Sequence, residues 1–215
     1  MVRRAAAVFL VLAFLVSGCS WFGAKEEPTA DELVRKGMTA YNEGDYNEAI
    51  EAFEKLRDWY PFSKYAILAE LKVADAYYEK GDYDNAVYAY EQFESLHPRN
   101  EAIPHVIFRI GMSYFQQIRS PDRDQTGARQ ARAAFLRLIN TYPDSREAQL
   151  AADKVKVCVK RLAEHDLYVG RFYYKADNYR AAMERFQSVL ENYPDVGVHK
   201  EALEYIAKCR EKMQG

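Results

Sequence analysis

The fold class this sequence predicts is an all-α solenoid of four helix pairs with a C-terminal capping helix. Three observations predict it. The stretches GMTAYNEGDYNEAIEAFEKLRDWYP (37–61) and ADAYYEKGDYDNAVYAYEQFESLHP (74–98) superimpose without a gap, and GRFYYKADNYRAAMERFQSVLENYP (170–194) follows the same template. Each stretch closes on a proline (Pro61, Pro98, Pro194), which has no amide hydrogen and cannot continue a helix. No segment shows the apolar–polar alternation of a half-buried strand.

Taken in order, the template positions have packing reasons. Gly37, Ala74 and Gly170 stand where the first helix of a pair presses closest on the second. Ala49, Ala86 and Ala182 keep the second helix small at the crossing, and Phe53, Tyr90 and Phe186 fill the wedge between the two. These units resemble the tetratricopeptide repeat, a helix–turn–helix of about 34 residues. A weaker copy holds Gly111, Ala131, Phe135 and Pro143 in the same roles. In that copy the glycine-to-alanine spacing is 20 residues, against 12 from Gly37 to Ala49, so about eight residues, SPDRDQTGAR and its surroundings, are inserted between its helices. Helix pairs are expected at about 33–60, 64–96, 101–142 and 146–192, within repeats at about 30–63, 64–100, 101–145 and 146–196. Thr29 and Glu32 make a capping box for the first helix. Residues 146–176 carry no turn signal and read as one long helix or as two with a slight break near Glu164. A half copy at 199–213 reads as the cap, within 197–215, with Leu203, Ile206 and Ala207 on its inner face. There Cys209 takes the small-residue place of Ala76 and Ser113, so Cys209 and Cys158 are expected as buried thiols.

The N-terminus announces export. Arg3 and Arg4 precede a twelve-residue apolar run, Ala5–Val16, too short for a comfortable membrane span, so 1–18 reads as a signal peptide. It ends Val16-Ser17-Gly18-Cys19, which resembles the bacterial lipobox: small residues admit the peptidase, and the Cys19 thiol takes the diacylglycerol. Residues 19–29 then form a lipidated tether to the folded part, 30–215. Ser20, where an aspartate tends to hold enterobacterial lipoproteins in the inner membrane, favours the periplasmic face of the outer membrane.

Composition narrows the function. At 49% hydrophobic and 29% charged the chain is globular, and a formal charge of −2 leaves no basic surplus for nucleic acid. There is no phosphate-binding glycine loop, no H-E-x-x-H and no C-x-x-C. His97, His105, His165 and His199 are scattered, so no metal, no cofactor and no catalytic residue is expected. What the repeat offers is a groove lined by its first helices. Four places after each register glycine or alanine stand Tyr41, Tyr78, Phe115 and Tyr174, and one place after stand Met38, Asp75, Met112 and Arg171. Such a row suits an extended apolar peptide, and it equally suits packing between helices. Tyr41, Tyr78, Met38 and Asp75, in the first two repeats, are the groove candidates.

Three stretches carry a more specific resemblance: YPFSKYAILAELKVADAYYEKGDYDNA, the inserted SPDRDQTGARQARAAF, and LINTYPDSREA. With the lipobox they resemble the BamD family of outer-membrane lipoproteins, non-barrel subunits of the β-barrel assembly machine. The resemblance runs over the whole mature chain, though the stretch after Pro194 is short and fits a cap rather than a full fifth repeat. It implies a scaffold whose N-terminal repeats meet unfolded outer-membrane β-barrel proteins. It also implies that the C-terminal repeats hold the Omp85-type barrel subunit, among other lipoproteins of the machine, with no nucleotide involved. Within it the Asp-Arg-Asp-Gln insertion, with Arg119, Asp122, Arg123, Asp124 and Gln125 as its candidate residues, is a family feature, and Arg119, Asp122, Arg123 and Asp124 can pair with one another or with a partner. Arg185 aligns with an arginine that the family uses against the barrel subunit; as a surface residue it would instead pair with Glu184 or Asp177. The competing reading is a repeat lipoprotein that scaffolds pilus assembly or cell-envelope division.

Overall fold

The computed structural model describes residues 27–214. Among them nine helices and no strand occur: α1 (Ala30–Glu43), α2 (Tyr46–Trp59), α3 (Ala66–Lys80), α4 (Tyr83–Leu96), α5 (Ile103–Gln116), α6 (Thr126–Thr141), α7 (Arg146–Lys175), α8 (Tyr179–Asn192) and α9 (His199–Gln214). Each packs chiefly on its chain neighbours, which is the contact pattern of a solenoid. The expected signal peptide (1–18), Cys19 and Ser20 lie outside the described residues.

Local chemistry starts and stops the helices. Thr29 Oγ1 accepts from the Glu32 amide at 3.3 Å, and Glu32 Oε2 accepts from the Thr29 amide at 2.8 Å, completing the capping box. Asp45, Ser145 and Asn178 accept from amides three residues on in the same manner. Gly44 and Gly81 close α1 and α3 at φ 82°, a left-handed conformation that favours glycine, and Asp177 takes the equivalent place in the last pair at φ 57°. Pro61, Pro98, Pro143 and Pro194 each follow two residues after the end of a second helix.

The wedge positions pack as their residue types require. Phe53, Tyr90, Phe135 and Phe186 are all at 0% exposure, as are the crossing alanines 49, 86, 131 and 182. A methyl group placed on Gly37, Gly111 or Gly170 would lie 2.7, 2.5 and 2.5 Å from a ring carbon of Phe53, Phe135 and Phe186. The core runs as three successive clusters: one across α1–α3, one across α3–α7, and one joining the second half of α7 to α8 and α9.

α7 is a single 30-residue helix, which settles the choice left open over 146–176. Cys158 and Cys209 are free and buried, and burial pushes the Cys158 thiol up to about 11. The cap differs from expectation. α9 buries Ala202, Ile206 and Cys209, while Leu203 and Ala207 face solvent. The reason is positional. Ala202, Ile206 and Cys209 repeat Ala69, Val73 and Ala76, the face a first helix turns to the preceding pair. Ala207 repeats Ala74, which presses on its own second helix, and in the described chain no such helix follows α9.

Candidate peptide groove and arginine cleft

The row on the first helices is assembled and half-buried. Tyr41, Tyr78 and Tyr174 each meet, edge-on, the tyrosine that opens the following helix: Tyr46 at 5.7 Å, Tyr83 at 5.6 Å and Tyr179 at 5.5 Å between ring centres. Over Tyr41, Tyr78 and Phe115 a cation from the next repeat then covers the ring, while Tyr174 meets Tyr205 at 5.2 Å. Lys72 Nζ stands 5.0 Å from the Tyr41 ring and the Arg109 guanidinium 4.3 Å from that of Tyr78. Lys154 covers Phe115 at 4.8 Å. The row therefore packs between helices, with its rings and cations half-buried along the first helices. Burial, then the nearby Asp75 and Glu79 carboxylates, pushes the Tyr41 phenol up to about 12, so it stays a neutral hydrogen-bonding group. Met38 is half-buried against the first cluster.

Asp75 was expected in the groove wall and lies beneath it, at 4% exposure. Tyr90 donates to its Oδ1 at 2.7 Å, Lys72 to its Oδ2 at 2.8 Å, and His105 Nε2 is 3.6 Å away. The cause is Tyr90: a phenol at the fully buried wedge position needs an acceptor, and Asp75 supplies it. Burial pushes the Asp75 carboxyl up, but His105, Lys72 and Tyr90 outweigh it and hold it well below the carboxylate range. A depressed carboxyl stabilises the fold fully above its unfolded value, ordinarily 3.8, and the contribution fades as pH falls towards the folded value. Asp75→Asn should accordingly cost about 1–3 kcal/mol at neutral pH. In urea melts that deficit should shrink below the ordinary carboxylate pKa; an equal deficit at both acidities would mean that the charge contributes nothing.

The insertion is a docked loop. Gln125, at 1% exposure, is its pin: Nε2 donates to the carbonyls of Ser120 at 2.8 Å and Arg123 at 2.9 Å. His165 Nδ1 lies 2.6 Å from the Pro121 carbonyl, which fastens the loop to α7. Asp124 Oδ1 accepts from the Thr126 amide at 2.8 Å, which satisfies the first amide of α6. Asp122 pairs with Arg123 at 3.5 Å, while Arg119 is exposed. Gly127 answers to a close approach: a methyl group there would lie 3.1 Å from the Tyr114 carbonyl, so the glycine lets α6 begin against the end of α5.

Arg185 pairs with neither Glu184 nor Asp177. Its guanidinium lies 3.3 Å from Asp166 Oδ1, and Glu184 pairs with Arg180. Asp166 also accepts from Ser188 at 3.2 Å and Tyr193 at 3.0 Å. Half of the Arg185 side chain stays exposed, on the rim of a cleft of about 410 Å³ shared with Arg129, Arg132, His165 and Tyr193. The sequence did not reveal that Arg129 and Arg132 converge here, because they come from α6, across the pair boundary. A second cleft, of about 390 Å³, lies among α2, α3 and α4, lined by Glu54, Arg57, Glu70, Tyr77, Phe93 and Leu96. Its only sequence signal was the apolar Tyr88 and Leu96 on the outer face of α4. Among the described residues no helix is long and apolar enough to cross a membrane.

Comparison with known proteins fits this architecture. The model of the family YfiO, outer membrane lipoprotein, matches residues 26–215. The outer membrane protein assembly factor BamD of Pasteurella multocida is 28% identical over 211 residues, covering 94% of this chain and 81% of its own. That of Vibrio cholerae is 30% identical over 199 residues (85% and 83%), and that of Rickettsia prowazekii 30% over 201 (90% and 80%). Among solved structures, the TPR2AB-domain:pHSP90-complex of yeast Sti1 matches 86% of this chain and 70% of its own at 17% identity, with a TM-score of 0.53. That likeness concerns the fold alone, an all-α tetratricopeptide-repeat solenoid. The relatives are named as assembly factors. With a family model spanning nearly all of the described chain and BamD relatives aligned along most of their own lengths, this chain belongs to the YfiO family of outer membrane lipoproteins, that of the BamD assembly factors.

Proposed function

We propose that this chain is the lipid-anchored, non-barrel subunit of an outer-membrane β-barrel assembly machine. In this reading Cys19 carries the anchor on the periplasmic face, the groove of the first two repeats receives unfolded outer-membrane proteins, and the C-terminal repeats hold the Omp85-type barrel subunit. The observation that carries it is the row of tyrosines and covering cations along the first helices, in a chain of this family. Aromatic edges accept apolar side chains of many shapes, and Lys72 and Arg109 add donors for a carbonyl or carboxylate. Arg185, Arg129 and Arg132 together suit an acidic side chain of a folded partner, since a guanidinium grips a carboxylate bidentately. The insertion, held by Gln125 and His165, presents Arg119, Asp122, Arg123 and Asp124 beside that cleft as a pre-ordered surface.

The test is capture of the mature chain from detergent-solubilised native outer membrane, with its partners identified by mass. The expected partner is the Omp85-type barrel subunit in near-stoichiometric amount. Recovery of a secretin or of peptidoglycan-linked proteins in its place would favour a scaffold for pilus assembly or cell-envelope division.

A further inference from the structure

The two ends of the first two helix pairs differ in chemistry. At one end the turns are polar, Asn42-Glu43-Gly44-Asp45 and Glu79-Lys80-Gly81-Asp82. At the other end, where α1 and α3 begin and α2 and α4 finish, large apolar side chains stand in the open. Phe62 is 99% exposed, the highest of the described large apolar residues, and Trp59, Ile67 and Leu96 are exposed around the same end. None of these belongs to the groove or to the arginine cleft. Lys64 stands beside them, its Nζ 4.7 Å from the Tyr65 ring. The turn itself is firmly built. Its apolar side chains are therefore presented by an ordered element: Tyr60 donates to the Pro28 carbonyl at 3.0 Å, and Tyr65 donates to Asp31 at 2.7 Å.

Those two bonds also place the start of α1 at this end: Pro28 lies against the turn that carries Phe62. From Cys19 to Glu27 there are eight residue steps, which span at most about 30 Å when fully extended. An anchor at Cys19 therefore keeps this end of the solenoid within about 30 Å of the bilayer, without fixing which way the helices point. A tryptophan and a fully exposed phenylalanine with a flanking lysine are the side chains that partition to the boundary between headgroups and acyl chains.

We propose that the α2–α3 turn, with Phe62 at its tip and Trp59, Ile67 and Leu96 around it, is a membrane-contact surface that docks into the headgroup region of the bilayer. It rests on the reading of Cys19 as the anchor. Its consequence is orientation: a lipid tether alone leaves the solenoid free to tumble, whereas a second contact at the same end points the long axis of the first pairs away from the membrane and holds the groove at a set height.

The test uses the full mature chain in vesicles of phosphatidylethanolamine with a minor share of phosphatidylglycerol. Trp21→Phe leaves Trp59 as the sole tryptophan. Lipids brominated near the top of the acyl chain should quench Trp59 at least about two-fold, since the surface places the ring at the headgroup–acyl boundary. Phe62→Ser, which touches no core residue, should remove most of that quenching without changing the melting curve. Absence of quenching while mass measurement finds Cys19 acylated would overturn the surface and leave the anchor standing. Quenching that survives Phe62→Ser and Ile67→Ser would also overturn it, because the tether alone would then explain the proximity. Shielding of Trp59 by another protein of the assembly, shown by crosslinking from position 62, would overturn it as well. Should Cys19 carry no acyl chain, the anchor reading fails separately; adding the same vesicles to the unanchored protein then decides the surface, with no quenching counting against it.

Discussion

Phe135→Ala is expected to lower the unfolding free energy by about 3–5 kcal/mol, because it empties the wedge of the third pair. Phe135 is fully buried, packs 5.8 Å from the Phe108 ring and 6.3 Å from that of Phe115, and lies under Gly111. Gly111→Ala attacks the same contact from the other side. Its methyl group would fall 2.5 Å from Phe135 Cε1, well inside contact distance, and overpacking of that kind costs about 1–3 kcal/mol. Combining the two gives the decisive measurement. With the ring gone the added methyl has room, so the double variant should be less destabilised than the two single effects together, by about 1 kcal/mol or more. Strict additivity in urea melts would show that the glycine and the ring do not act on one another.

Arg185→Gln is the second change with a large expected effect, read on binding and not on folding. The guanidinium pairs with Asp166, but half of it is exposed, and an exposed ion pair contributes about 0–1 kcal/mol. Glutamine can still donate to Asp166, whose other oxygen keeps Ser188 and Tyr193. The melting curve should therefore move little. If the cleft takes a carboxylate of the barrel subunit, removing one buried charged partner costs about 2–5 kcal/mol, a loss of roughly 30-fold or more in affinity. Arg185→Glu is the less clean variant: it would set a second carboxylate beside nearly buried Asp166 and lower stability as well as binding. Co-purification of Arg185→Gln at the wild-type level in moderate salt would make Arg185 a surface residue that serves only Asp166.

The repeat was legible because its rules are local. Glycine under a ring, alanine at a crossing and proline after a second helix are each dictated by one close contact, and each recurs at fixed spacing. Asp75 was misplaced because register alone put it level with Met38 and Met112. The clue was the pairing of two departures in one repeat: tyrosine instead of phenylalanine at position 90, and an acid instead of methionine at 75. A buried phenol calls for an acceptor, and the only acid in register was there. Leu203 and Ala207 were placed inside the cap by analogy with a complete pair, but half of a first helix's apolar face exists to meet its own second helix. The insertion was recognisable as an insertion, yet its anchoring to His165 spans 44 residues, a separation no periodicity encodes. The convergence of Arg129, Arg132 and Arg185 was hidden for the same reason.

The groove of the first two repeats is proposed to receive unfolded outer-membrane proteins. The most direct measurement of that binding places a photoreactive side chain at Tyr41 and at Tyr78, with Glu51 on α2 and Ala133 on α6 as exposed controls outside the row. The protein is then illuminated with an unfolded β-barrel precursor. Labelling from positions 41 and 78 should exceed that from 51 and 133 by at least about five-fold, as expected where a few aromatic anchors carry most of the binding. Equal labelling from all four positions would contradict the account.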